Sequence, residues 1–207
     1  MGSAWWQKES LIKIESPTSM MVVGPSSSGK TELVKRLLFH ANGVFKQAPT
    51  QIMICYRIWQ KAYTEMQTEL RNITFMEGLP SKHDIVDWAS SNKESKVLLL
   101  DDMMMTVDSA DVADLFCVGS HHFNITVIHL IQNLYHKGKE ISYKFKTLVD
   151  KYSLGRINYF MDAYNKATAD RYGYLVVDIS PHTDKSFQLR TNILPGEAIV
   201  VYQPAKQ

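Results

Sequence analysis

Eight consecutive residues, Gly24-Pro25-Ser26-Ser27-Ser28-Gly29-Lys30-Thr31, carry the most specific chemical signal in this sequence. Glycines at both ends let the backbone curl until successive N–H groups converge on one spot. A helix starting there adds the positive end of its dipole, so the stretch can cradle an anion. It fits the phosphate-loop pattern G-x-x-x-x-G-K-[ST] at every required position. Lys30 would reach the β- and γ-phosphates of ATP, and the Thr31 hydroxyl would hold Mg²⁺. A second pair, Asp101-Asp102, ends the apolar run Lys96-Val97-Leu98-Leu99-Leu100. Ligands of parallel sheets bind at the carboxyl ends of strands. Asp101 is therefore expected beside the loop in the Mg²⁺ shell, the Walker B role. Asp102 is expected to orient or deprotonate the attacking water. A third polar group, Gln132, leaves the β-rich run Ile125–Ile131 where a side chain can sense the γ-phosphate or its water.

These side chains need strands and helices to bring them together. Ser19-Met20-Met21-Val22-Val23 reads as a strand entering the loop. Leu33, Val34, Leu37, Leu38 and Ala41 recur at helical spacing after it, within a helix expected over Thr31–Ala41 and ended by Asn42-Gly43. Gln51–Tyr56 and Ile73–Met76 read as further strands. A helix is expected over Trp59–Leu70, and another, capped by Ser81, carrying Ile85, Val86 and Trp88. Strands alternating with helices imply a parallel sheet with crossovers. The continuous apolar run before Asp101 suits a central strand buried on both faces. Leu11–Ile14 reads as a first edge strand, Asp108–Cys117 and Ile157–Ala169 as helices, and Tyr174–Asp178 as a late strand. Phe187–Thr191 and Ala198–Tyr202 read as a terminal pair. The expected class is α/β, a P-loop NTPase domain over residues 19–207 behind an extension over 1–18.

Composition narrows the field. The chain has 207 residues, 45 % apolar and 21 % charged, which suits one domain with a full core. A formal charge of +2 does not by itself mark a nucleic-acid binder; a basic surface would have to be local. Lys137-Gly138-Lys139 with Lys144 and Lys146 is one such stretch. Cys55 and Cys117 lie in apolar runs without metal or redox spacing and read as buried thiols of a reducing compartment. No apolar run approaches the ~18 residues of a spanning helix, and no secretory signal is visible.

Several stretches together resemble the viral DNA-packaging ATPases of the FtsK–HerA superfamily, above all those of Polinton-like and adintovirus-type elements, related to the poxvirus packaging ATPase. They are Val23–Thr31, "ICYRIWQ" at 54–60, "FMEGLP" at 75–80, "LLLDDMM" at 98–104 and "LFCVGSHHFNITVIHLIQNLYHKGK" at 115–139, then "YGYLVVDISPHT" and "LRTNILPGE" near the end. The run Gly119–Lys139 is far more specific than the phosphate loop. By this resemblance Lys30 and Thr31 match Walker A, Asp101 and Asp102 match Walker B, and Gln132 matches the glutamine after the sensor strand. The resemblance implies a RecA-like, mostly parallel sheet with helices on both faces, assembly into a homo-oligomeric ring, and ATP-driven translocation of double-stranded DNA into a capsid. Capsid proteins would be partners, and the location would be the virion or the interior of an infected cell.

One departure bears on turnover. After "QNLYHKGK" the family usually runs through a further strand into an arginine-bearing turn, whereas Glu140–Lys146 here passes almost at once to Asp150–Tyr159. An arginine acting across a subunit boundary is worth ~10³–10⁵ in rate. Arg156, Arg171 and Arg190 are the substitutes on offer. Two alternatives follow: a nucleotide-binding module with little or no turnover, and a small P-loop phosphotransferase. An arginine-rich lid, which the latter would use, is missing.

Overall fold

The computed structural model describes residues 12–103, 123–132 and 157–203. Five strands in these segments form an all-parallel sheet: β1 (Ser19–Val23), β2 (Gln51–Tyr56), β3 (Ile73–Glu77), β4 (Lys96–Asp101) and β5 (Ile125–Ile131). Their order across the sheet is β1-β5-β4-β2-β3. Helices α1 (Lys30–Phe39), α3 (Lys61–Glu69) and α4 (Lys82–Ser90) connect the strands that precede and follow them, and a single turn, α2 (Ala41–Val44), follows α1.

The sheet order explains why two cores form. From β1 to β3 the chain moves toward one edge of the sheet; from β3 to β5 it moves back. Right-handed crossovers then place helices of the outward and returning legs on opposite faces. Val34, Leu37 and Leu38 of α1 and Tyr63 and Met66 of α3 accordingly pack with Ile52, Ile54, Val97, Leu99, Ile128 and Leu130. Ile85 and Ala89 of α4 pack on the other face with Met53, Cys55, Leu98, Leu100, Ile125 and Val127. Alternate residues of β2, β4 and β5 thus serve opposite cores, and β4 and β5 are buried along their whole length. Burial pushes the Cys55 thiol up to about 12, so it stays protonated and inert. Met103 closes the second core just past β4.

The carboxyl-terminal part adds α5 (Ile157–Ala167) and a three-stranded antiparallel sheet of β6 (Val176–Val177), β7 (Leu189–Thr191) and β8 (Val200–Tyr202) in that order. This unit is pinned by Arg190. Its side chain is fully buried and donates to Asp178 Oδ2 at 2.8 Å and to the Phe187 carbonyl at 2.6 Å. The expected terminal pair is therefore present, while the strand expected over Tyr174–Asp178 shrinks to two residues.

Other departures have local causes. Helix α1 stops at Phe39, and Asn42-Gly43 does not terminate it but lies within α2. Gly43 serves packing instead: a Cβ there would stand 2.9 Å from Pro195 Cγ. The expected edge strand near residue 14 reduces to one parallel bridge between Ile14 and Phe45, outside the main sheet. Helix α3 begins two residues later than Trp59, leaving Trp59 and Gln60 in the loop after β2. Ser81 does cap α4, in a reciprocal box with Asp84. The helix expected over Asp108–Cys117 and the basic stretch Lys137–Lys146 lie outside the described residues. No described helix is long and apolar enough to cross a membrane.

Candidate functional site

Strand β1 delivers the glycine loop to the carboxyl edge of the sheet, and the Gly24 N–H fastens it to the Ile131 carbonyl at the end of β5 (3.1 Å). The two glycines differ in how tightly the fold constrains them. A Cβ on Gly24 would stand 2.6 Å from Ser28 Oγ; Gly29 has φ +89°. Within the loop the Ser28 N–H donates to the Pro25 carbonyl (3.3 Å), and Ser27 takes a left-handed φ of 62°. Helix α1 starts at Gly29 without any side-chain cap, so its first N–H groups are left for an anion.

Lys30 Nζ donates to the carbonyls of Gly24 (2.8 Å) and Pro25 (2.9 Å), folding back over the loop it belongs to. Burial lowers its pKa, against the opposing pull of Asp101 and Asp102. These bonds hold the ammonium where it can transfer to a bound phosphate.

Strand β4 supplies the carboxylates. Asp101 is buried, and its Oδ2 accepts from Thr31 Oγ1 (3.0 Å), Tyr63 OH (2.5 Å) and Gln60 Nε2 (3.2 Å). The Thr31 bond closes 70 residues of sequence onto one point. Burial, reinforced by the Asp101 carboxylate, drives the Tyr63 hydroxyl pKa far up, so the tyrosine remains a proton donor. Asp102 follows with φ +57°, a left-handed conformation that short polar side chains tolerate best. Gln132, leaving β5, bridges the two halves: its Nε2 donates to Asp102 Oδ1 (3.4 Å) and its Oε1 accepts from Ser26 Oγ (3.2 Å). Because β5 lies between β1 and β4, the glutamine emerges between loop and carboxylates.

Ser26, Ser27, Gly29, Lys30, Thr31, Asp101, Asp102 and Gln132 all line one cleft of about 620 Å³. Gly24, Pro25 and Ser28 belong to the same loop but do not line the cleft. The structure thus brings the other eight residues expected from the sequence to one cleft. The sequence did not single out Gln60 and Tyr63, which hold Asp101, or Leu33, Arg36, Tyr172 and Tyr174, which complete the cleft. Gln60 immediately precedes α3 and Tyr63 lies in its first turn, and only the packing of α3 over β4 reveals their role.

The described residues contain no cluster of three or more acids, histidines or cysteines that would cage a metal. Mg²⁺ does not need one, since it is held by one or two carboxylates together with phosphate oxygens and water. The Asp101 carboxylate beside the Thr31 hydroxyl fits that donor set. Of the arginines considered as substitutes, Arg190 is spent inside the fold, Arg156 lies outside the described residues, and Arg171 stacks on the Tyr172 ring at 4.8 Å. Arg36 lines the cleft but is paired with Glu197 at 2.9 Å.

No protein-family model matches the chain, and no curated protein matches it. The functional reading therefore stands on this geometry and on the motifs.

Proposed function

We propose that this protein is a Mg²⁺-dependent P-loop ATPase with a RecA-like core, working as a motor that moves double-stranded DNA into a viral capsid. The observation that carries the ATPase half is the 3.0 Å bond between Thr31 and Asp101, which joins a complete phosphate-loop motif to an acidic strand end. The DNA-packaging half rests on the motif resemblance, chiefly the run Gly119–Lys139.

In this reading the uncapped N–H groups of α1 and the Lys30 ammonium bind the phosphates. Thr31 and Asp101 would hold Mg²⁺, which would supply positive charge to offset that of the phosphates. Gln132 positions the attacking water, and the Asp102 carboxylate takes its proton as water bonds to the γ-phosphorus and the bond from that phosphorus to the ADP oxygen breaks, releasing ADP. Gln60 and Tyr63 keep Asp101 from turning away.

Steady-state ATP hydrolysis with and without double-stranded DNA, with Lys30→Ala as control, tests the proposal. DNA-stimulated hydrolysis that the control lacks is the expected result. A second reading, nucleotide binding without useful turnover, is favoured by one observation: among the described residues, the arginine lining the cleft is Arg36, and Glu197 holds it. Tight Mg-ATP binding with no hydrolysis at any protein concentration would select that reading.

A further inference from the structure

The phosphate-handling groups occupy only part of the cleft. The remaining lining includes the apolar and aromatic Leu33, Tyr172 and Tyr174, with one cation, Arg36, and one carboxylate, Glu32. Tyr172 stands out on three counts. First, its ring lies against the loop: a Cβ on Gly29 would meet Tyr172 Cδ1 at 3.1 Å. Second, it is 58 % exposed although it lines the cleft, so burial does not account for its place there. Third, its backbone has φ +66°, in a turn closed by the Gly173 N–H on the Asp170 carbonyl at 2.9 Å. Turns that need a positive φ ordinarily use glycine or asparagine. A bulky side chain there costs free energy that must be offset elsewhere, and such outliers cluster at ligand sites.

The neighbours hold this arrangement in place. Gly173 admits the turn, since a Cβ on it would stand 2.4 Å from the Ala167 carbonyl oxygen. The Arg171 guanidinium lies 4.8 Å from the Tyr172 ring centroid, a cation–π contact that steadies the ring. The Tyr174 hydroxyl accepts from the Ile193 N–H (3.0 Å) and donates to Glu197 Oε2 (3.3 Å). Glu197 in turn holds Arg36, so this wall is tied together before any ligand arrives.

We propose that Tyr172, which shares the cleft lining with Tyr174 and Leu33, is the platform on which the base of a bound nucleoside triphosphate stacks. This rests on the nucleotide-binding reading above and adds to it the part of the ligand that the phosphate loop does not see. A flat aromatic ring recognises any base by its π-face, with purines offering the larger area.

Calorimetric titration with Mg-ATP, and separately with Mg-tripolyphosphate, separates base from phosphates. Tyr172→Gly is the key variant because glycine suits φ +66° and should leave thermal stability equal or higher. The expected result is ATP binding weakened by roughly 10- to 100-fold, as for loss of a base–aromatic stack. Tripolyphosphate binding should stay within about twofold, and Tyr172→Phe should bind ATP nearly as the parent does. The platform is overturned if Tyr172→Gly binds ATP like the parent, or if both ligands weaken equally, which would place Tyr172 at the phosphates. If the unaltered protein binds neither ligand, the nucleotide reading itself falls and the platform with it. Retained tripolyphosphate binding, lost in Lys30→Ala, keeps these two failures apart.

Discussion

At the scale of the residue, Asp101 shows how a site is pre-formed. Its Oδ2 atom carries three donors, of which Tyr63 is the closest at 2.5 Å. Removing that hydroxyl in Tyr63→Phe leaves a buried carboxylate with one charge-assisted bond fewer. Stability by urea denaturation should fall by about 1–3 kcal/mol. The Mg²⁺ concentration needed for half-maximal ATP binding should rise, because the carboxylate is no longer held. Burial raises the Tyr63 pKa well above its ordinary value, so no titration of this residue is expected in the working pH range. Asp102 permits a cleaner separation. Its φ of +57° is tolerated by asparagine, so Asp102→Asn should fold and bind Mg-ATP normally. Loss of the proton acceptor should lower hydrolysis ~10²- to 10⁴-fold. An Asp102→Asn protein that hydrolyses ATP at the parent rate would remove Asp102 from the mechanism.

At the scale of the element, the ion pairs of Lys35 and of Arg190 differ in kind. Lys35 of α1 reaches Glu65 of α3 at 2.5 Å and Glu32 at 2.7 Å. The Lys35 hydrogen bond and charge hold the Glu65 carboxyl below its ordinary value of 4.5. The carboxylates in turn raise Lys35 above 10.5. A lowered acid stabilises the fold above its unfolded pKa and loses that contribution as pH falls through the folded value. Thermal melts should therefore show Glu65→Gln a few degrees less stable than the parent near neutrality, with the gap closing below pH 4.5. The gap stays small because the pair is open to solvent on the Glu65 side. Arg190 and Asp178 are different, with side chains 0 % and 11 % exposed. Asp178→Ala strands a buried guanidinium and should cost about 3–5 kcal/mol in denaturation. Pairing Arg190→Met with Asp178→Leu should cost much less. These elements also mark what the sequence discloses. Strand, loop and α1 were legible because apolar periodicity and the glycine pattern are local signals. Asn42-Gly43 misled because the same dipeptide that ends a helix also fits the short turn of α2. Gln60 and Tyr63 were not legible as site residues, since nothing in their spacing refers to β4.

At the scale of the whole molecule, the sheet order joins these contacts. Seating β5 between β1 and β4 brings Gln132 to the gap between loop and acids, and folding the carboxyl-terminal unit back brings Tyr172 onto Gly29. Both depend on long-range pairing that no local pattern encodes, whereas the parallel class followed from the alternation of strands and helices. The same cleft bears on assembly. Among the described residues, its lining arginine is committed to Glu197, and Arg190 is committed to Asp178. On the proposed ATPase reading, a guanidinium stabilising charge on the transferring phosphoryl group would come from another arginine, and a ring would supply it from the neighbouring subunit. Mixing tests whether the subunits of such a ring act together. Lys30→Ala subunits should join the assembly, since Lys30 bonds only to its own loop among the described residues. If neighbours act in sequence, an equal mixture of parent and Lys30→Ala should hydrolyse ATP well below the parent rate per parent subunit, with DNA-stimulated turnover suppressed most. Independent subunits would keep the parent rate per parent subunit, so total activity would fall only in proportion to dilution. Sedimentation of the same mixtures shows whether they have assembled, so a proportional loss in fully assembled rings would exclude cooperation between subunits.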